Sequence, residues 1–145
     1  MPVQLLHSAA GEVESKPMAQ DTTVADALTR HVFGPDDPSV PLVDTGRFPP
    51  GWVEEYRRLL ESVAEEWAAA PVWPRHMVGA LHYALTHLRV RYSAWQGLGG
   101  GGRRDEDTER ELSRVEAPTR VLFARAFPPQ EPKHVEPEVG ATRSR

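Results

Sequence analysis

The chain has no cysteine. That removes disulfides, cysteine-ligated zinc and thiol nucleophiles together. It also fits a reducing compartment, so a cytoplasmic location is the expectation. No stretch approaches the ~20 consecutive apolar residues of a membrane-spanning helix, and none is expected. The opening MPVQLLHSAAGEVESKP has neither a basic leading segment nor an apolar run long enough for a secretory leader. No internal repeat is visible. Positive charge is in deficit: 17 Lys and Arg stand against 21 Asp and Glu, a net charge of −4, which argues against a general nucleic-acid binder.

The charge that is present is unevenly placed. Residues 1–74 carry a balance of −7, residues 75–125 carry +3, and residues 126–145 are neutral. Such asymmetry can steer a partner or hold neighbouring helices of opposite sign together. Proline and glycine are plentiful, at 14 and 11 residues, but they cluster, so they act as punctuation. Residues 1–20 hold no sustained period and predict a flexible arm. Residues 128–145 are Pro-rich, mixed in charge and poor in apolar groups, which predicts a disordered tail. Residues 21–127 between them predict one helical domain, large enough to fold alone.

Four helices are expected there. DTTVADALTRHVFGP offers Thr22 or Thr23 as a cap, with Asp26 three residues after Thr23, an apolar row of Val24, Ala27, Leu28 and Val32, and Gly34 as a left-handed stop before Pro35. Residues 34–51 hold five prolines and predict an extended, stiff crossover. In residues 50–70, Trp52, Val53, Tyr56, Leu59, Leu60, Val63 and Trp67 fall within about 120° on a helical wheel, with Glu54, Glu61 and Glu65 opposite. PVWP at 71–74 is a short connector, which predicts an antiparallel hairpin with the next helix. That helix, to about Gln96, buries Met77, Leu81, Ala84, Leu85, Leu88, Tyr92 and Trp95 on one face. GLGGGGRR reads as a flexible linker. The phosphate-loop alternative fails, because the run follows a helix and no lysine is present. Residues 105–127 predict a helix kinked at Pro118 or two helical pieces, about 105–116 and 118–127. The fold class is therefore a small all-α bundle of about four helices with a Pro-rich crossover and disordered termini.

The segment RHMVGALHYALTHLRVRYSAW carries the candidate site. Two polar rows border its apolar face: Arg75, His82 and Arg89 on one side, His76, Tyr83 and His87 on the other, with Arg91 at the margin. A metal is not expected. His82 and His87 are five apart, about 140° around the axis, and His76 and His87 are about 16 Å apart along it. Asp36, Asp37 and Asp44 lack the spacing of a calcium loop. No cofactor is expected either.

Arg75 and His82, on one helix face, resemble the short Arg-polar-to-His motif of the all-helical HEPN ribonucleases. The resemblance covers eight residues. It implies an arginine and a histidine facing a scissile phosphate. A cation beside the phosphate and an imidazole near neutral pKa suit such cleavage. A helical ligand-binding or regulatory module, with Trp52, Trp67 and Trp95 lining a pocket, is a further alternative. The expectation set first is a non-enzymatic interaction protein: an accessory subunit, adaptor or inhibitor. It would bind a protein partner or a second copy through Arg75, His82, Arg89, Trp73 and Trp95, since Arg, Tyr and Trp are enriched at interface hot spots. Neither nucleic acid nor membrane is an expected partner.

Overall fold

A computed structural model of the chain describes residues 22–128. The expected arm at 1–20 lies outside the described residues, as does the expected tail apart from Pro128. Five helices are present: α1 (Val24–Phe33), α2 (Ser39–Thr45), α3 (Trp52–Trp67), α4 (Arg75–Leu98) and α5 (Glu106–Ala126). The described residues form no strand. The described residues are all-α, with one helix more than the sequence suggests.

The extra helix is α2, inside the segment expected to be extended. Proline does not prevent it. Pro38 is its N-cap and Pro41 lies in its first turn, where a backbone N–H has no intrahelical acceptor to lose. Gly46 ends it with φ +69, and a Cβ there would run into the Trp95 ring. Trp95 therefore lies flat against bare backbone, and α2 is held on α4.

Other expectations change in instructive ways. Thr23 caps α1 in a reciprocal box with Asp26, as the spacing suggests. Gly34 stops α1 in an extended conformation, not a left-handed one. α5 runs unbroken through Pro118, so the two-piece reading is overturned. Burial explains this: Val115, Glu116, Thr119 and Leu122 around the proline are all buried, and tertiary packing offsets the lost backbone bond. The glycine run is an ordered turn, not a loose linker. Gly100 N–H bonds Trp95 O at 2.7 Å and Gly102 N–H bonds Gln96 O at 2.8 Å, while Gly101 and Gly102 take positive φ. Asp105 then caps α5, accepting from the Asp107 and Thr108 amides.

The order of helices in space departs furthest from expectation. α1 packs on α3 and α4, and α5 also packs on α3 and α4, but α3 and α4 do not pack on each other. The expected hairpin of residues 50–70 and 74–96 is therefore replaced by a diagonal pair across a four-helix ring. Paired residues give the directions. Asp26 meets His76 and Phe33 meets Tyr83, so α1 and α4 run parallel. Glu54 meets Arg114 and Tyr56 meets Thr119, so α3 and α5 run parallel. Tyr92 meets Asp105 and Arg89 meets Glu116, so α4 and α5 run antiparallel. His31 and Trp52, at the end of α1 and the start of α3, join the remaining antiparallel pair: each side chain bonds the other's carbonyl and the rings stack at 4.7 Å.

The core lies along the ring's axis. Leu28 and Val32 of α1, Tyr56 and Val63 of α3, Met77, Leu81, Leu88 and Tyr92 of α4, and Leu112 and Val115 of α5 are all fully enclosed. At ~25 cal/mol per Å² of apolar surface, each such side chain contributes about 1.5–3 kcal/mol. One end of the bundle gathers Val24, the 68–74 connector, Arg75 and Phe127. The other gathers α2 and the glycine turn.

Candidate functional site

Parts of the two polar rows of α4 lie in seams with its neighbours. His76 and Tyr83 face α1: His76 Nε2 lies 3.2 Å from Asp26 Oδ1, and Tyr83 meets the edge of Phe33 at 4.9 Å between centroids. Arg89 faces α5. Its Nε donates to Glu116 Oε1 at 2.6 Å, one terminal nitrogen to Glu116 Oε2 at 3.2 Å and the other to Glu109 Oε2 at 3.2 Å. The fork holds α4 to α5, and the two carboxylates keep the guanidinium protonated more firmly than usual.

Of the five residues assigned to partner binding, three are thus engaged within the fold. Arg89 is the clamp just described. Trp73 is buried, donates its indole N–H to Trp67 O at 2.8 Å and packs on Phe123 and Phe127. Trp95 stacks on Tyr92 and covers Gly46 and Gly100. Arg75 and His82 remain exposed, and neither forms a side-chain hydrogen bond or ion pair among the described residues. They sit about 10 Å apart along α4. Among the described residues no third group orients the imidazole, as a general base ordinarily requires.

The tryptophan-lined pocket does not form. Trp52 and Trp67 stand at opposite ends of α3, about 22 Å apart. Trp52 stacks between His31, Phe48 and Tyr56, whereas Trp95 lies beside α2. Among the described residues, no three His, Asp or Glu side chains gather into a metal-binding group, and no helix is long and apolar enough to cross a membrane.

Two open grooves are polar and of mixed sign. One, of about 620 Å³, runs along α1 past Asp26, Arg30, Phe33 and His76. Another, of about 580 Å³, lies by Arg47, Trp95, Arg103 and Arg104, but Asp105 and Glu106 share it and Arg47 already pairs with Asp105 at 3.4 Å.

The distinctive surface is a smaller groove of about 270 Å³ between the parallel helices α3 and α5. Leu60, Ala64, Pro118, Val121 and Leu122 line it, with Glu61 on the α3 bank and Arg125 on the α5 bank. Its exposed wall is almost wholly carbon. Val121 is 52% exposed, and at the adjoining end of the bundle Phe127 is 55% and Val72 76% exposed. Trp73 and Phe123 support Phe127 from below. The composition of α5 hints at this surface: Val121 stands about 100° from its core neighbour Leu122, an apolar residue outside the buried stripe. Pairing it with Leu60 and Ala64 requires knowing that α3 and α5 are neighbours.

Comparison with known proteins returned no match to a family profile, a curated protein or a solved structure, so the reading of this groove rests on its own chemistry.

Proposed function

We propose that this chain is a non-enzymatic helical interaction protein, an accessory subunit, adaptor or inhibitor, that docks a protein on the α3–α5 groove and the apolar end beside it. One observation carries the reading: the groove presents aliphatic carbon to water with a charged residue on each bank. Contiguous exposed apolar surface rimmed by polar groups is characteristic of docking sites. Val121 and Phe127 supply side chains that a partner can enclose, and Arg125 sits at the rim, where charge sets orientation and rate more than affinity. Trp73, Arg89 and Trp95 contribute indirectly, by fixing the helices that form the surface. A cysteine-free chain suits the reducing cytoplasm, and we place the encounter there.

The test compares wild type with Val121→Arg in affinity capture from the native host. The expected result is a stoichiometric species retained by wild type and lost by the variant, with the helical melt unchanged. Equal capture by both proteins overturns the proposal. A ribonuclease reading keeps one favourable observation, the exposure of Arg75 and His82 on one helix. RNA cleavage abolished by His82→Ala in a folded protein would support it, and cleavage unchanged by that substitution would end it.

A further inference from the structure

We infer that the occupant of the α3–α5 groove is a second copy of this chain, related by a two-fold axis running along the groove. The inference rests on the reading of the groove as a docking surface and adds the identity of its partner. Three observations lead to it.

The banks are of opposite sign and do not neutralise each other. Glu61 and Arg125 line the same groove, yet they form no ion pair. Glu61 has only Arg57 at 4.0 Å, and Arg125 has no ion-pair partner among the described residues.

The banks also stand at similar height. α3 and α5 run parallel, and two contacts between them set their relative level: the hydroxyls of Tyr56 and Thr119 at 2.8 Å and the Glu54–Arg114 ion pair at 2.8 Å. Glu61 lies five residues beyond Tyr56, about 7.5 Å along the axis, and Arg125 six residues beyond Thr119, about 9 Å. Counted from Glu54 and Arg114 the difference is about 6 Å, so the two charges lie within about one to one and a quarter helical turns of each other, inside the reach of their long side chains.

Symmetry does the rest. A two-fold axis along the groove lays α3 of one copy over α5 of the other without shifting either lengthwise. Glu61 of each copy then faces Arg125 of its mate, twice over, as a self-complementary interface requires. Val121 of each copy projects toward the mate's Leu60 and Ala64, covering apolar surface with apolar surface. A two-fold axis across the groove would set Glu61 against Glu61 and Arg125 against Arg125, so charge selects one arrangement.

The test is sedimentation equilibrium on the full-length chain and on Arg125→Glu, Glu61→Arg and the double exchange, with circular dichroism to confirm folding. The expected result is a wild-type dimer, weakened at least ten-fold by each single exchange and restored by the double. A monomer at all concentrations to about 100 µM overturns the inference. So does a dimer indifferent to the single exchanges, or a double exchange no better than either alone. If the chain is monomeric yet Val121→Arg abolishes capture of another protein, only the second copy is refuted and the docking surface stands. If Val121→Arg changes neither self-association nor capture, both readings fall.

Discussion

The buried pair Tyr56–Thr119 offers a test of how α3 and α5 are joined. The Thr119 hydroxyl donates to Val115 O at 2.6 Å, so its proton is committed. The Tyr56 hydroxyl, 2.8 Å away, must then donate to Thr119 Oγ1. Tyr56→Phe removes that donor but leaves Thr119 bonded to Val115, a loss of about 1 kcal/mol. Thr119→Val keeps the shape of the site but leaves a buried phenol without an acceptor, at about 2 kcal/mol. The double variant removes both polar groups together and should lie within about 1 kcal/mol of wild type. At ~4 °C per kcal/mol for a domain of about this size, the melting temperature should fall about 4 °C, about 8 °C and less than about 4 °C respectively. Burial pushes the Tyr56 phenol above its ordinary pKa, so it stays protonated and the pattern should not change between pH 5 and 9. Thermal melts of the four proteins decide it. A double variant that falls by the sum of the singles, about 12 °C, refutes the argument that one shared bond underlies both losses.

Four further outcomes are expected. Gly46→Ala meets both a left-handed backbone and the Trp95 ring and should cost about 3 kcal/mol in urea unfolding, with Trp95 emission shifted to the red. Arg89→Met leaves Glu116, 11% exposed, without its clamp; a fully buried break would cost 3–5 kcal/mol, but Arg89 is 40% exposed, so about 2 kcal/mol is expected, with most of it regained in Arg89→Met/Glu116→Gln. The Trp67 indole N–H is buried without an acceptor, so Trp67→Phe should be neutral to within about 1 kcal/mol by chemical denaturation, unlike a typical core Trp truncation. Glu111 has its carboxyl pKa raised, first by burial and then by Glu54. Its folded form thus favours the proton, and it disfavours folding once pH rises past the ordinary carboxylate range. Glu111→Gln should therefore raise the melting temperature at pH 7 and leave it unchanged at pH 3.

Local patterns were legible where one physical signal dominates. The α3 wheel names Trp52, Val53, Tyr56, Leu59, Leu60, Val63 and Trp67; the first six are buried and Trp67 is half-buried. The α4 face was read almost as well, and His76 and Arg89 of its polar borders lie in the seams with α1 and α5. Prolines were misleading in both directions. A count of five hid α2, whose prolines occupy positions that need no N–H. Pro118 suggested a break in α5 that surrounding burial overrides. The partner of each face was beyond reach, because a wheel shows which side is buried and not what buries it. That is why Arg89 and Trp73 looked available when α5 engages both.

The diagonal link between α3 and α4 also bears on how fast the chain can fold. In a ring of sequential neighbours, most helix contacts close short loops. Here α1 finds α4 across 50 residues at both His76 and Tyr83, and α3 finds α5 across 60 and 63 at Arg114 and Thr119. Two of the four ring contacts are therefore non-local, and the chain must close those loops before the contacts reward it. The relative contact order is raised for an all-helical domain, and the refolding rate belongs nearer to that of mixed α/β domains than to that of ordinary helical bundles.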